Sequence, residues 1–109
     1  MKKTHGNSLE NNNPHHLYEI EDLQEKDTFK YGISDDPIEE DGLSQRVKRQ
    51  VNFMNLIVGW IRFVGKILVF DISGRQKAKN LEDEYIDTYF GANGRNPRGN
   101  IRGGKRKKK

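Results

Sequence analysis

Two short patterned runs, LYEI and FKYGIS, place Tyr18 on one extended segment and Lys30 and Tyr31 on the next, with His15 and His16 just ahead of the first. A cation beside a tyrosine favours phenolate, and histidine titrates near neutrality, so this stretch could position or move a proton. His16 shares a strand face with Tyr18 if the alternation extends that far. Further on, Ser73-Gly74-Arg75 precedes a helical pattern whose first amides are available to an anion. Each feature also has an ordinary meaning. Tyrosines on strands are mostly core or surface aromatics. Charges on helices, such as Arg46 and Glu82, are mostly solvated or form ion pairs worth under about 1 kcal/mol.

The elements that must carry these residues follow from pattern. Leu17, Tyr18 and Ile20 suit a strand, residues 29–34 suit a second, and residues 22–28 are short enough for a hairpin loop. Residues 35–41, DDPIEED, hold five acids and a proline, which reads as a solvated loop entering a helix. Leu43, Val47, Val51, Met54 and Val58 follow a helical stripe, so a helix is expected from Leu43 to about Leu56. KILVFDIS, residues 66–73, suits a buried strand. A last helix over residues 75–90 puts Ala78, Leu81, Tyr85, Ile86 and Tyr89 on one side, with Gly91 as its stop. The order is ββαβα, an α+β fold with a small three-stranded antiparallel sheet flanked by helices.

Composition bounds the rest. The 109 residues make one small domain, and without cysteine there is neither a disulfide framework nor a thiolate metal site. Residues 1–13 are Asn-rich with Leu9 as their only large apolar side chain after Met1, and read as a disordered linker; the domain is expected over 14–100 and a basic tail over 101–109. Residues 92–109 carry +8 and residues 1–91 carry −4, so the overall +4 conceals a basic end that could collect a phosphate backbone. The GGKRKKK end also reads as a solubilising terminus. MKKTHGNSLENNN, with no apolar run behind its lysines, is not expected to act as a secretory signal. Residues 51–70 have the length of a membrane span, but Asn52, Asn55, Arg62 and Lys66 within it indicate a folded core and no stable membrane insertion.

Taken in order, these residues resemble the GIY-YIG (URI-fold) nuclease superfamily, and most closely the URI-fold toxin domains of bacterial polymorphic toxins. LYEI stands for the first motif with its tyrosine at Tyr18. KYGIS stands for the second, with Gly32 on the family glycine and Lys30 where most members have a tyrosine; Tyr31 is the alternative if the register slips. Arg46 in LSQRVKRQ fits the helical L-x-x-R pattern, with Gln50 in the place of a common histidine. NLEDEYI offers Glu82 with Ile86 four positions on, and Pro97 to Asn100 match the closing P-x-x-N. No single match is specific, but five occur in the family's order.

The resemblance implies phosphodiester hydrolysis with one divalent ion, Mg²⁺ or Mn²⁺, held by Glu82. Tyr18 would position or deprotonate the attacking water, Arg46 would hold the phosphate oxygens, Lys30 would orient Tyr18 or lower its pKa, and Asn100 would support them by hydrogen bonding. His16 is a candidate proton shuttle. Glu84 rivals Glu82 but lies about 200° round the helix from it, so only one can face the sheet. Arg49, Arg75, Lys105, Arg106 and Lys107 are the candidate nucleic-acid contacts, with DNA placed ahead of RNA. The biology implied is a monomeric toxin domain delivered into a target bacterium within a larger protein and neutralised by a cognate immunity protein. Two other classes remain: a non-catalytic nucleic-acid-binding module that uses the basic tail, and a membrane-perturbing toxin built on residues 51–70.

Overall fold

A computed structural model describes residues 11–100. Its elements are β1 (Pro14–Asp22), β2 (Asp27–Ser34), α1 (Gln45–Val58), β3 (Phe63–Ser73) and α2 (Arg75–Asn93). The three strands form one antiparallel sheet in the order β2-β1-β3, which makes β1 central and β2 an edge strand. This is the expected ββαβα layout.

Strand alternation divides the core into two layers. Tyr18 and Ile20 point to one face and pack with Val47, Val51 and Met54 of α1 and with Phe63. Leu17 points to the other face with Ile33 and Ile72, under Ala78, Leu81 and Tyr85 of α2. Each helix therefore covers one side of the sheet. In β2 the register slips between Ile20 and Glu21, so that Lys30 opposes Ile20 and Thr28 opposes Glu21. The residue left over is Phe29, which turns toward α1 and meets the Phe63 ring edge-on, with centroids 5.1 Å apart.

Several boundaries differ from those the pattern predicts. Helix α2 runs through Gly91 to Asn93 and is capped by Gly94, whose left-handed φ of 76° ends it; Gly91 does not adopt that conformation. Strand β3 begins at Phe63 instead of residue 66, because Asn55 receives the Arg62 and Phe63 amide protons on its Oδ1 and donates to the Phe63 carbonyl. Val58 falls outside the packed stripe, at the exposed C-terminal end of α1 beside Leu56 and Ile57. Asn11, within the expected lead-in, is buried, receives the Arg75 amide on its carbonyl and donates from its side chain to Asp35. Residues 51–70 divide into a helix end, a turn and a strand, and no helix among the described residues is long and apolar enough to cross a membrane.

An ion network ties Arg62, Arg95 and Arg98 to the hairpin. Asp22 has no solvent exposure; it accepts two hydrogen bonds from Arg62 at 2.8 Å and one from Arg98 at 3.1 Å. Asp27 accepts from the Tyr89 hydroxyl at 2.7 Å and from Arg95 at 2.9 Å. Beyond them, residues 97–100 run beside β2. The Gly99 amide donates to the Phe29 carbonyl, and the Asn100 side chain both accepts from the Tyr31 amide and donates to its carbonyl.

Candidate active site

A cleft of about 220 Å³ lies along β2, lined by Tyr18 from β1, Lys30, Gly32 and Ser34 from β2, Arg46 from α1, and Arg75, Lys79 and Glu82 from α2. Asp35 and Asp36, at the start of the acidic loop, line the same cleft. Tyr18, Lys30, Arg46 and Glu82 thus come together from four different elements.

Tyr18 reaches the cleft because of Gly32. The two residues are paired across β1 and β2, and the tyrosine ring lies over the glycine: a Cβ there would overlap Tyr18 Cζ and Oη and come within 2.9 Å of Cε1. Any side chain at position 32 would block the ring from crossing the edge strand. The phenol is only 1% exposed, and its hydroxyl donates to Gln50 Oε1 at 3.2 Å. Burial raises its pKa, while the adjacent Arg46 and Gln50 oppose the rise without cancelling it. The foremost cation acting on the phenol is therefore Arg46 and not Lys30, and Tyr18 is a neutral hydroxyl at physiological pH.

Lys30 lies on the Tyr18 face, opposite Ile20. Burial lowers its pKa, Arg46 lowers it further, and Glu82 partly restores it. Lys30, Arg46 and Glu82 are thus electrostatic neighbours. Tyr31 points the other way: it opposes Glu19 and meets Tyr85 of α2 edge-on at 5.4 Å. The pleat separates the two candidates for the second motif position, and only Lys30 lines the cleft.

On α2, Glu82 is buried and turned into the cleft, whereas Glu84 is exposed on another surface of the helix. Glu82 Oε1 accepts from Lys79 Nζ at 2.9 Å. Among the described residues no group of three or more His, Asp or Glu is arranged to hold a metal ion. A single carboxylate does fit Mg²⁺, which keeps several waters and takes substrate oxygens. The ammonium of Lys79 on Oε1 shows that this oxygen accepts a cation from the cleft side.

Among the remaining candidates, His16, Asn100 and Arg49 lie outside the cleft lining. His16 is buried beside Tyr18, with ring centroids 6.3 Å apart and its Nε2 3.0 Å from Ser44 Oγ; burial lowers its pKa, against the pull of Asp36. Ser44 spends its hydroxyl on this contact and makes no side-chain cap for α1. Asn100 holds the backbone of Tyr31, between Lys30 and Gly32, at 2.8 and 2.9 Å. Arg49 is exposed on α1, and Arg75 lines the cleft. Lys105, Arg106 and Lys107 fall outside the described residues. Sequence reasoning missed Lys79, although Arg75, Lys79 and Glu82 stand at i, i+4 and i+7, the spacing of a single helix face. It also missed Asp35 and Asp36, which nothing in the pattern separates from the rest of the acidic run.

Residues 8–94 match the model of a family described as URI fold toxin 2. No curated protein and no solved structure matches the chain.

Proposed function

The chain belongs to the URI fold toxin 2 family, and from that premise we propose that its cleft hydrolyses phosphodiester bonds of nucleic acid, DNA ahead of RNA, with one Mg²⁺ or Mn²⁺ ion at Glu82. The observation that carries this reading is the convergence of Tyr18, Lys30, Arg46 and Glu82 on one cleft. Hydrolysis adds a water oxygen to phosphorus, breaks one P–O ester bond and delivers a proton to the departing oxygen. The ion would supply Lewis-acid stabilisation of the phosphate charge.

The protein's own groups divide the remaining work. The guanidinium of Arg46 presents a fixed fork to the phosphate oxygens as charge develops on them. The neutral Tyr18 hydroxyl, tied to Gln50, orients the attacking water through its lone pairs; as a phenol whose pKa burial has raised, it is a poor base. The Lys30 ammonium, destabilised by burial and by Arg46, holds on Nζ a proton that a developing alkoxide can take; the proton lost by the attacking water passes to solvent, from which Lys30 is recharged. Asn100 keeps the β2 backbone in place beneath Lys30.

As a toxin domain, the chain would act after delivery into a target bacterium, as a monomer held inactive in the producing cell by a cognate immunity protein. The test is nicking of a supercoiled plasmid, with matched RNA in parallel, by wild type, Glu82→Ala and Arg46→Ala, with Mg²⁺ or EDTA. Cleavage is expected from wild type with Mg²⁺ alone. Undiminished cutting by Glu82→Ala overturns the assignment of that carboxylate. Binding without cutting by wild type favours a non-catalytic module working through Arg49 and the basic tail.

A further inference from the structure

The pair formed by Lys79 and Glu82 is more than a helix-surface contact. Lys79 Nζ lies 2.9 Å from Glu82 Oε1, and the glutamate side chain is 10% exposed while the lysine is 38% exposed. The anion is fixed in the cleft wall and the cation is a flexible tether that water reaches. The two stand three residues apart with the lysine nearer the helix N-terminus, the less favourable order for stabilising a helix. Propensity therefore gives little reason for the pairing.

The cleft gives a stronger one. Lys30, Arg46, Arg75 and Lys79 face Glu82, Asp35 and Asp36 there. Asp35 is engaged by the side-chain amides of Asn11 and Asn13 at 3.0 and 3.2 Å. Asp35 and Asp36 are both only half-buried, so Glu82 is the buried carboxylate of the cleft lining, and its Oε1 already carries the Lys79 ammonium. We propose that Lys79 is a resident counter-cation of Glu82, which a divalent ion entering the cleft displaces, and that the freed ammonium then contacts the phosphate backbone of the bound nucleic acid. This rests on the reading of Glu82 as the ion's ligand. Before loading, Lys79 keeps the buried carboxylate compensated; after loading, the same charge sits beside Arg75 on the substrate side. Arg75 and Lys79 are one helical turn apart, so a backbone passing over α2 meets both.

The test measures ion binding to the free protein, without substrate or turnover, by Mn²⁺ titration at constant ionic strength for wild type, Lys79→Met, Lys79→Arg and Glu82→Gln. Lys79→Met is expected to bind Mn²⁺ about threefold more tightly, the size of a partly exposed ion pair removed from competition. Lys79→Arg, which keeps a cation there, is expected to show no tightening. Affinity that is unchanged or weaker in Lys79→Met overturns the proposal while leaving Glu82 as the ligand. Equal Mn²⁺ binding by wild type and Glu82→Gln overturns both this proposal and the assignment it rests on. In Ca²⁺, which supports binding without requiring cleavage, Lys79→Met is expected to reduce the salt dependence of nucleic-acid binding by about one unit of log–log slope. An unchanged slope overturns the second half of the proposal.

Discussion

The ring of Tyr18 lies over the backbone of Gly32, its partner across β1 and β2, and occupies the space a Cβ at that position would need. The hydroxyl is thereby carried across the edge strand into the cleft, while the rest of the ring stays in the α1 layer of the core. A residue without a side chain is what allows one tyrosine to be both core and site.

Gly32→Ala should therefore cost both stability and activity. The overlap involves the ring itself and not a flexible end, so the core must give, at about 1–3 kcal/mol. Displacement of the hydroxyl by even about 1 Å should reduce cleavage about 100-fold. Urea unfolding and plasmid nicking on the same preparation measure the two effects.

Tyr18→Phe keeps the ring and removes the hydroxyl. Stability should fall by about 1 kcal/mol, because Gln50 Oε1 loses its donor. Cleavage should fall about 100-fold. The pH dependence of stability provides a further signature. The folded pKa of Tyr18 is raised above its ordinary 10.0 by burial, so the phenol's contribution is complete below pH 10 and is lost as the pH rises, where the unfolded chain ionises first. The phenylalanine variant should show a smaller alkaline slope in thermal melts, the remainder coming from Tyr31 and Tyr89, whose pKa values burial also raises.

Asn100→Ala should destabilise the protein by about 1–3 kcal/mol, since it strips both the amide and the carbonyl of Tyr31 of their partner. Asn100→Asp, which keeps the acceptor and loses the donor, should fall between the two in urea midpoint. An Asn100→Ala variant as stable as wild type would show that water replaces these bonds at no cost.

Asp22→Asn should destabilise the fold by about 1–3 kcal/mol, because Arg62 and Arg98, both partly exposed, lose the anion they share. The hydrogen bonds of Arg62 hold the Asp22 carboxyl well below its ordinary 3.8, against the opposing push of burial. With the folded pKa depressed, this stability is complete above the unfolded carboxylate's pKa and is lost as the pH falls below about 4 toward the folded one. Wild type should show that loss in acid titration followed by circular dichroism, and Asp22→Asn should show a smaller one.

The sequence is most informative where one periodicity dominates. The stripe from Leu43 to Met54 and the face holding Ala78, Leu81 and Tyr85 are packed as their spacing predicts. The alternation of β1 also sorts Tyr18 from Leu17 correctly. What pattern cannot carry is the choice between neighbours at a slipped register. The pleat puts Lys30 and Tyr31 on opposite faces, but which of them takes the Tyr18 face is set only by the pairing with β1 across the irregularity at Phe29. The true end of α2 is similarly hidden, because Gly91 and Gly94 are equal as letters and differ only in the backbone each adopts. Asp22 with Arg62 and Arg98, and Asn100 with Tyr31, are contacts between residues 40 to 76 positions apart, which no local signal announces.

Residues 97–100 have a consequence for how this domain fails. They cover the outer hydrogen-bonding groups of Phe29 and Tyr31, yet the family match ends at residue 94. A chain stopped there would retain all three strands and both helices but leave part of the β2 edge unpaired, open to another extended backbone. Its failure would be self-association into β-paired aggregates at high protein concentration, and only secondarily unfolding. Residues 97–100 thus act as a guard on the sheet, independent of any role they have near the cleft.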